Sequence, residues 1–242
     1  MPKERKTVEV CFTPNLYPLH ADQADIVVVI DVLRATSAMC AALHSGIKKV
    51  IPVETIEEAI DYREKGYIVG AERKGEIVKG FDFGNSPFAY MNPAFKGKTV
   101  VISTTNGTKA IHAAKKAGTL IIGSFLNLEV LCEWLSKQDR KVLILGSGWK
   151  NKFCLEDTIC AGAIVDYLIN TGNFTSEEDS SIAAKFLFLS AKDNIFGYLK
   201  ASSHRRRLRK LNLNKDIHYC LTPNQTPVIP VLKNGALIKM KL

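Results

Sequence analysis

The chain has 242 residues, 46% of them hydrophobic, and its 33 Lys and Arg against 24 Asp and Glu give a formal charge of +9. This composition fits a globular protein long enough to bury a substantial core. No apolar run reaches the ~18–20 residues of a membrane-spanning helix. The N-terminus MPKERKTVEVCF lacks the apolar h-region of a secretory signal, so a cytoplasmic protein with no membrane partner is expected.

In chain order, short apolar runs at 7–12, 25–31, 48–53, 67–70, 98–103, 119–123 and 141–146 predict strands. Several lack polar alternation, as expected for strands covered on both faces. Helical patterns lie between them. One covers 36–45 and stops at Gly46. Thr55 opens the next, with Glu58 at the N3 position of a capping box and Gly66 at its end. Others cover 106–117 and 156–169, and Asn127 is placed to cap 128–138. Alternating strands and helices predict an α/β protein with a largely parallel or mixed sheet, layered α/β/α. Residues 177–211 read as mainly helical. Residues 226–240 read as two short strands joined by Asn234-Gly235, a hairpin expected at a mixed sheet edge. The expectation is one catalytic domain over 1–242, or two intimately packed α/β lobes. The apolar strands near the chain end make a homo-oligomer reasonable.

The six cysteines form no C-x-x-C pair or zinc-finger cluster and sit among apolar neighbours, which predicts structural thiols. The positive charge favours anionic partners. Its densest run, HRRRLRK at 204–210, has no interleaved aromatics and reads as a solvated helix face or surface loop, with no nucleic acid expected. A nonenzymatic anion- or nucleic-acid-binding protein is the alternative that this run supports.

In open α/β sheets, ligands bind beyond the carboxyl ends of the strands. Three segments fall there: DVLRATS (31–37), STTNGT (103–108) and GSG (146–148), the last leading to Glu156 and Asp157 at a helix start. Thr104, Thr105, Asn106, Gly107 and Thr108 offer hydroxyls, an amide and close backbone approach at a helix N-terminus, which suits a phosphate. Ordinary capping is the other reading of the same residues. Arg34 can grip a phosphate through parallel hydrogen bonds, or can simply neutralise Asp31. If Asp31, Glu156 and Asp157 share one volume, a cation is needed, and Mg²⁺ takes such hard oxygen ligands. A glycine-rich stretch, GAERKG (70–75) and GFDFGNSP (80–87), lies between two buried strands and is a further candidate.

DVLRATS, GAERKG with GFDFGNSP, STTNGT and LEDTICAG (155–162), in that order, resemble the 2-phosphosulfolactate phosphatase family over roughly 7–235. The resemblance implies an α/β fold and Mg²⁺-dependent hydrolysis of 2-phospho-3-sulfolactate to 3-sulfolactate, a reaction of coenzyme M biosynthesis. It carries over to Asp31, Arg34, Thr36 and Ser37, to Glu72 and Arg73, to Asp82, Asn85 and Ser86, to residues 104–108, and to Glu156 with Asp157. Within it, Asp31, Glu156 and Asp157 would bind Mg²⁺ and Arg34 the phosphate. Glu72 or Asp82 would position water or protonate the leaving alkoxide. Arg73 and the basic segment 150–152 would receive the sulfonate and carboxylate. The chain departs from related sequences at 146–152, GSGWKNK, which forms one wall of the expected pocket. A weaker likeness, of VVVID and VVIST to the haloacid dehalogenase phosphatases, would make Asp31 a nucleophile through an aspartyl-phosphate. Those enzymes carry a second acid two residues on, where this chain has Leu33.

Overall fold

The computed structural model describes residues 6–241. Eleven strands join in one sheet: β1 (Lys6–Cys11), β2 (Ile26–Ile30), β3 (Lys49–Val53), β4 (Ile68–Arg73), β5 (Glu76–Ile77), β6 (Thr99–Ser103), β7 (Thr119–Gly123), β8 (Val142–Gly146), β9 (Phe174–Thr175), β10 (Pro230–Lys233) and β11 (Ala236–Lys239). Their spatial order is β5-β4-β6-β3-β11-β10-β7-β2-β8-β1-β9. Two parallel blocks result, β4-β6-β3 and β7-β2-β8-β1-β9.

The C-terminal hairpin joins these blocks. Strand β10 pairs antiparallel with β7 through Val231 and Ile121, and β11 with β3 through Leu237 and Val50. The sequence placed this hairpin at an edge, and that expectation is corrected. Its strands are apolar enough for the interior, with Val231 and Leu237 buried. A turn signal fixes how two strands join each other but carries nothing about their outer neighbours. Because both outer edges are paired, the hairpin offers no edge for association between copies.

The main helices are α1 (Ala35–His44), α2 (Ile56–Glu64), α3 (Pro87–Tyr90), α4 (Gly107–Ala113), α5 (Leu128–Ser136), α6 (Leu155–Asn170), α7 (Asp179–Ala191), α8 (Ile195–Tyr198), α9 (Ser203–Lys210) and α10 (Asn214–Cys220). They cover the sheet on both faces, and the alternation of side chains along β2 shows how. Ile26, Val28 and Ile30 pack with α5 and α6, while Val27 and Val29 pack with α1 and α4. All five are fully buried, each worth about 1.5–3 kcal/mol. This two-sided burial is why the strand reads VVVI rather than alternating.

The expected capping box on α2 is present. Thr55 Oγ1 accepts from the Glu58 N–H at 3.1 Å, and Glu58 Oε2 accepts from the Thr55 N–H at 3.0 Å. Gly66 then leaves the helix with φ +80°. Asn127 precedes α5 but does not cap it with its side chain. Its amide donates to the carbonyls of Ile122 and Val228, so it ties the end of β7 to the segment leading into β10. All six cysteines are buried and unpaired. No helix among the described residues is long and apolar enough to cross a membrane.

Candidate active site

Three antiparallel steps, β7 to β10, β10 to β11 and β11 to β3, make the β4-β6-β3 block run opposite to the block that holds β2 and β8, yet the segments that follow β2, β4, β6 and β8 meet in one cleft. There Asp31, Leu33, Arg34, Glu72, Gly75, Asn85, Thr105, Asn106, Trp149, His204 and Leu208 line one narrow cleft.

The turn after β2 is self-supporting. Thr36 Oγ1 accepts from the Asp31 N–H at 3.0 Å, the Thr36 N–H donates to the Asp31 carbonyl at 3.0 Å, and Ser37 Oγ donates to the Val32 carbonyl at 2.8 Å. Thr36 and Ser37 therefore shape the turn, and neither lines the cleft. Asp31 Oδ1 accepts from the Ala35 N–H at 3.3 Å. A Cβ at position 107 would lie 2.9 Å from Asp31 Oδ2 and would clash with Ala35. Glycine is thus required for α4 to start against Asp31. Thr104 and Thr108 bond reciprocally, Thr104 Oγ1 accepting from the Thr108 N–H at 3.1 Å and Thr108 Oγ1 donating to the Thr104 carbonyl at 3.0 Å. Capping explains these two, and only Thr105 and Asn106 of the segment face the cleft.

On the opposite side of Asp31, Asp157 Oδ1 accepts from the Val32 N–H at 2.9 Å. Burial, then the charges of Asp31 and Glu156, push the Asp157 carboxyl well above the usual range. Burial likewise raises Asp31 to about 6; Glu72 and Glu156 add to the rise, and His204 and the Ala35 N–H oppose it. Two buried carboxylates held this close need a cation or a shared proton. Glu156 differs. Burial alone would raise it, but His204 and Ser202 bring it below its ordinary value. His204 Nδ1 lies 2.9 Å from Glu156 Oε1, and Ser202 Oγ donates to Oε2 at 2.9 Å.

Arg34 is engaged by a residue that sequence reading did not identify. It forms a buried ion pair with Asp216 of α10 and donates to the Gly75 carbonyl at 2.9 Å. Glu72 accepts from the Gly75 N–H, the Thr105 N–H (3.2 Å), Thr105 Oγ1 (3.0 Å) and Asn85 Nδ2 (3.4 Å). Its carboxylate thus joins β4 to the start of α4, and its oxygens have little capacity left for water.

Several candidates lie elsewhere. Asp82 is exposed and faces a separate depression with Arg63 and Phe95. Arg73 donates to the carbonyls of Glu72 and Glu54 and to Ser103 Oγ, tethering strand ends. Ser86 precedes α3 without capping it through its side chain. Lys150 and Lys152 sit on an exposed turn, with φ +51° at Lys150 and a Trp149–Lys152 bridge.

The run HRRRLRK forms α9 and is not one solvated face. Arg206, Arg209 and Lys210 are exposed, but Arg205 is buried and stacks on Phe196 at 3.8 Å. His204 enters the cleft beside Trp149, with ring centroids 5.4 Å apart. Trp149 lies in the expected 146–152 wall, whereas the sequence did not point to His204, Arg207 or Asp216. The available signal was His204 itself, the one imidazole in the basic run.

Cys154, Glu156 and His204 bring ligand atoms within 4.8 Å of one another. The thiol and imidazole of this group suit softer ions than Mg²⁺. The hard-oxygen pair Asp31 and Asp157 suits Mg²⁺ better.

Paired acids, an arginine and a helix start come together beside this α/β sheet, a set of groups suited to a phosphate ester. The sequence profile described as 2-phosphosulpholactate phosphatase matches residues 11–235, and the chain belongs to that family. It is 38% identical over 213 residues to a probable 2-phosphosulfolactate phosphatase of Caldanaerobacter subterraneus subsp. tengcongensis, covering 86% of this chain and 88% of the relative. Similar proteins bearing the same name occur in Thermotoga petrophila (42% identity, 87% and 90% covered) and Clostridium perfringens (34%, 95% of each).

Proposed function

We propose that this protein hydrolyses 2-phospho-3-sulfolactate to 3-sulfolactate and phosphate, with Mg²⁺ held by Asp31 and Asp157. The observation that carries this reading is the pairing of these two buried carboxylates beside a cleft that also holds Arg34 and Thr105. The names borne by the relatives supply the substrate. Glu156, expected from the sequence among the metal ligands, is assigned instead to His204, whose Nδ1 lies 2.9 Å from Oε1, while Oε2 accepts from Ser202.

When bound, Mg²⁺ would supply positive charge to the phosphate oxygens and acidify a water. Arg34, fixed by Asp216 and Gly75, keeps guanidinium hydrogens free for the phosphate. Asn106 and the start of α4 border the same cleft. With Asp82 remote and Glu72 saturated, His204 is the group suited to protonate the leaving alkoxide. The Glu156 carboxylate 2.9 Å from Nδ1 occupies that side of the ring, which leaves Nε2 as the atom to give the proton. In the overall step water oxygen bonds to phosphorus, the bond from phosphorus to the ester oxygen breaks, and that oxygen takes a proton.

The test is inorganic phosphate release over a panel of phosphorylated hydroxy acids, including 2-phospho-3-sulfolactate and phosphoglycolate, with Mg²⁺ or with a chelator. Mg²⁺-dependent release, fastest on the sulfonated ester, is expected. No release from any member would overturn the reading.

A further inference from the structure

The sulfonate of the proposed substrate requires a cation; Arg73 is tied to Glu54 and Ser103, and the exposed 150–152 segment does not line the cleft. Another guanidinium is better placed. On α9, residues 204, 207 and 208 share one face, being three and four apart. His204 and Leu208 line the cleft, as does Trp149. Arg207 Cζ lies 4.2 Å over the Trp149 ring, within the range of cation–π attraction.

The donor inventory of Arg207 is unusual. Its Nε and Nη2 are buried with no hydrogen-bond partner in the protein, and Nη1 has only a long 3.4 Å contact to Ser203 Oγ. A buried donor without a partner is unfavourable, more so when charged. The nearest acids are Glu156 and Cys154, and Glu156 is already answered by His204 and Ser202. Nε and Nη2 are the edge of a guanidinium that binds two oxygens of one anion in parallel. An aromatic plane beneath holds that edge in place, and lysine could not reproduce it.

We propose that Arg207 is the specificity-determining residue of the site and binds the sulfonate of the substrate through Nε and Nη2. This assignment rests on the phosphatase reading above. It divides the anions by chemistry. The phosphate lies on the Asp31 and Thr105 side, where its reacting oxygens can be charge-balanced. The sulfonate, a permanent monoanion that does not react, lies against the α9 and Trp149 wall.

The test compares wild type, Arg207→Gln and Arg207→Lys on 2-phospho-3-sulfolactate and on 2-phospholactate, which keeps the carboxylate and replaces the sulfonated arm with methyl. The ratio of kcat/KM for the sulfonated over the methyl substrate is expected to fall about 30-fold in Arg207→Gln, as for loss of a charge-assisted pair, mainly through KM. Arg207→Lys keeps the charge and the contact with Trp149, so it should fold even if the glutamine variant does not; it should recover only part of the ratio. Equal losses on both substrates would overturn the proposal, since they would assign Arg207 to the carboxylate or to structure alone. Binding of 3-sulfolactate against lactate, measured calorimetrically, separates this inference from the phosphatase reading. If wild type hydrolyses neither ester yet prefers 3-sulfolactate in an Arg207-dependent way, the phosphatase reading fails and the sulfonate site stands. Wild type binding both acids equally would overturn the site.

Discussion

Asp157 Oδ1 accepts the backbone N–H of Val32 at 2.9 Å, which locks its carboxylate beside Asp31 although the two segments are far apart in the chain. Two acids held together in the interior repel each other when both are ionised. Replacing one should therefore stabilise the metal-free protein while removing its function. For Asp31→Asn, whose carboxyl is raised from 3.8 to about 6, a gain of about 2 kcal/mol near neutral pH is expected, or roughly 4–8 °C in Tm. Phosphatase activity should fall at least about 100-fold. Thermal melts and phosphate release on the same preparation check both.

The same shift fixes a pH dependence. In the native state Asp31 holds its proton up to about 6, whereas its ordinary value is 3.8. Between these values the folded state binds more protons than the unfolded one, so stability from this group falls as pH rises through the window and levels off above about 6. Asp157 is raised in the same direction. Melting temperature in chelator should thus decline from about pH 4 to 6 by more in wild type than in Asp31→Asn. Excess Mg²⁺ should narrow that difference as pH rises through 6.

His204, if it protonates the leaving group, matters most for poor leaving groups. His204→Gln should lower kcat on 2-phospho-3-sulfolactate by about 10²–10⁴-fold, yet lose far less on p-nitrophenyl phosphate, whose leaving phenolate needs no proton. Glu156→Gln should show the same pattern more weakly, because it removes the group that orients the ring. Equal losses on both substrates would show that His204 does not act as the acid.

Asp216 and Arg34 form a buried ion pair, so Asp216→Ala leaves a buried guanidinium without its counter-charge. Loss of a partner in such a pair costs about 3–5 kcal/mol. Denaturant unfolding should read this directly, and KM for the phosphate ester should rise as Arg34 loses its anchor.

Gly107→Ala tests the contact between α4 and Asp31. The added methyl meets Asp31 Oδ2 and Ala35, and overpacking of this kind costs about 1–3 kcal/mol. Melting should detect it, together with reduced activity from a displaced Asp31.

Much of the fold was legible because two-sided burial writes itself into composition. The run from Ile26 to Ile30 has no solvent face, and Thr55 with Glu58 is a local device complete within four residues. The central place of the hairpin was not legible, since strand order is set by partners distant in the chain, such as Val50 and Ile121. The site shows the same division. Asp31, Arg34, Thr105 and Asn106 lie in turns directly after strands, Glu72 near the end of β4 and Asn85 in the adjoining glycine-rich loop, and they reach one cleft. Arg73 and Asp82 have the right chemistry, but Arg73 is turned toward Ser103 and Asp82 lies in a separate depression. His204, Arg207 and Asp216 come from C-terminal helices whose packing across the strand ends leaves no local pattern. In α9, charge hid the distinction between Arg206, which is exposed, and His204, which faces the cleft.

Phosphate release from 2-phospho-3-sulfolactate, titrated with Mg²⁺ after exhaustive chelation, tests the central assignment most directly when wild type and Asp157→Asn are compared. Wild type should be inactive without the ion and activate saturably. The variant, which lacks one of the two proposed charged oxygen ligands, should need at least about tenfold more Mg²⁺ for half-activation. Full activity in chelator, or identical Mg²⁺ curves for the two proteins, would contradict the account.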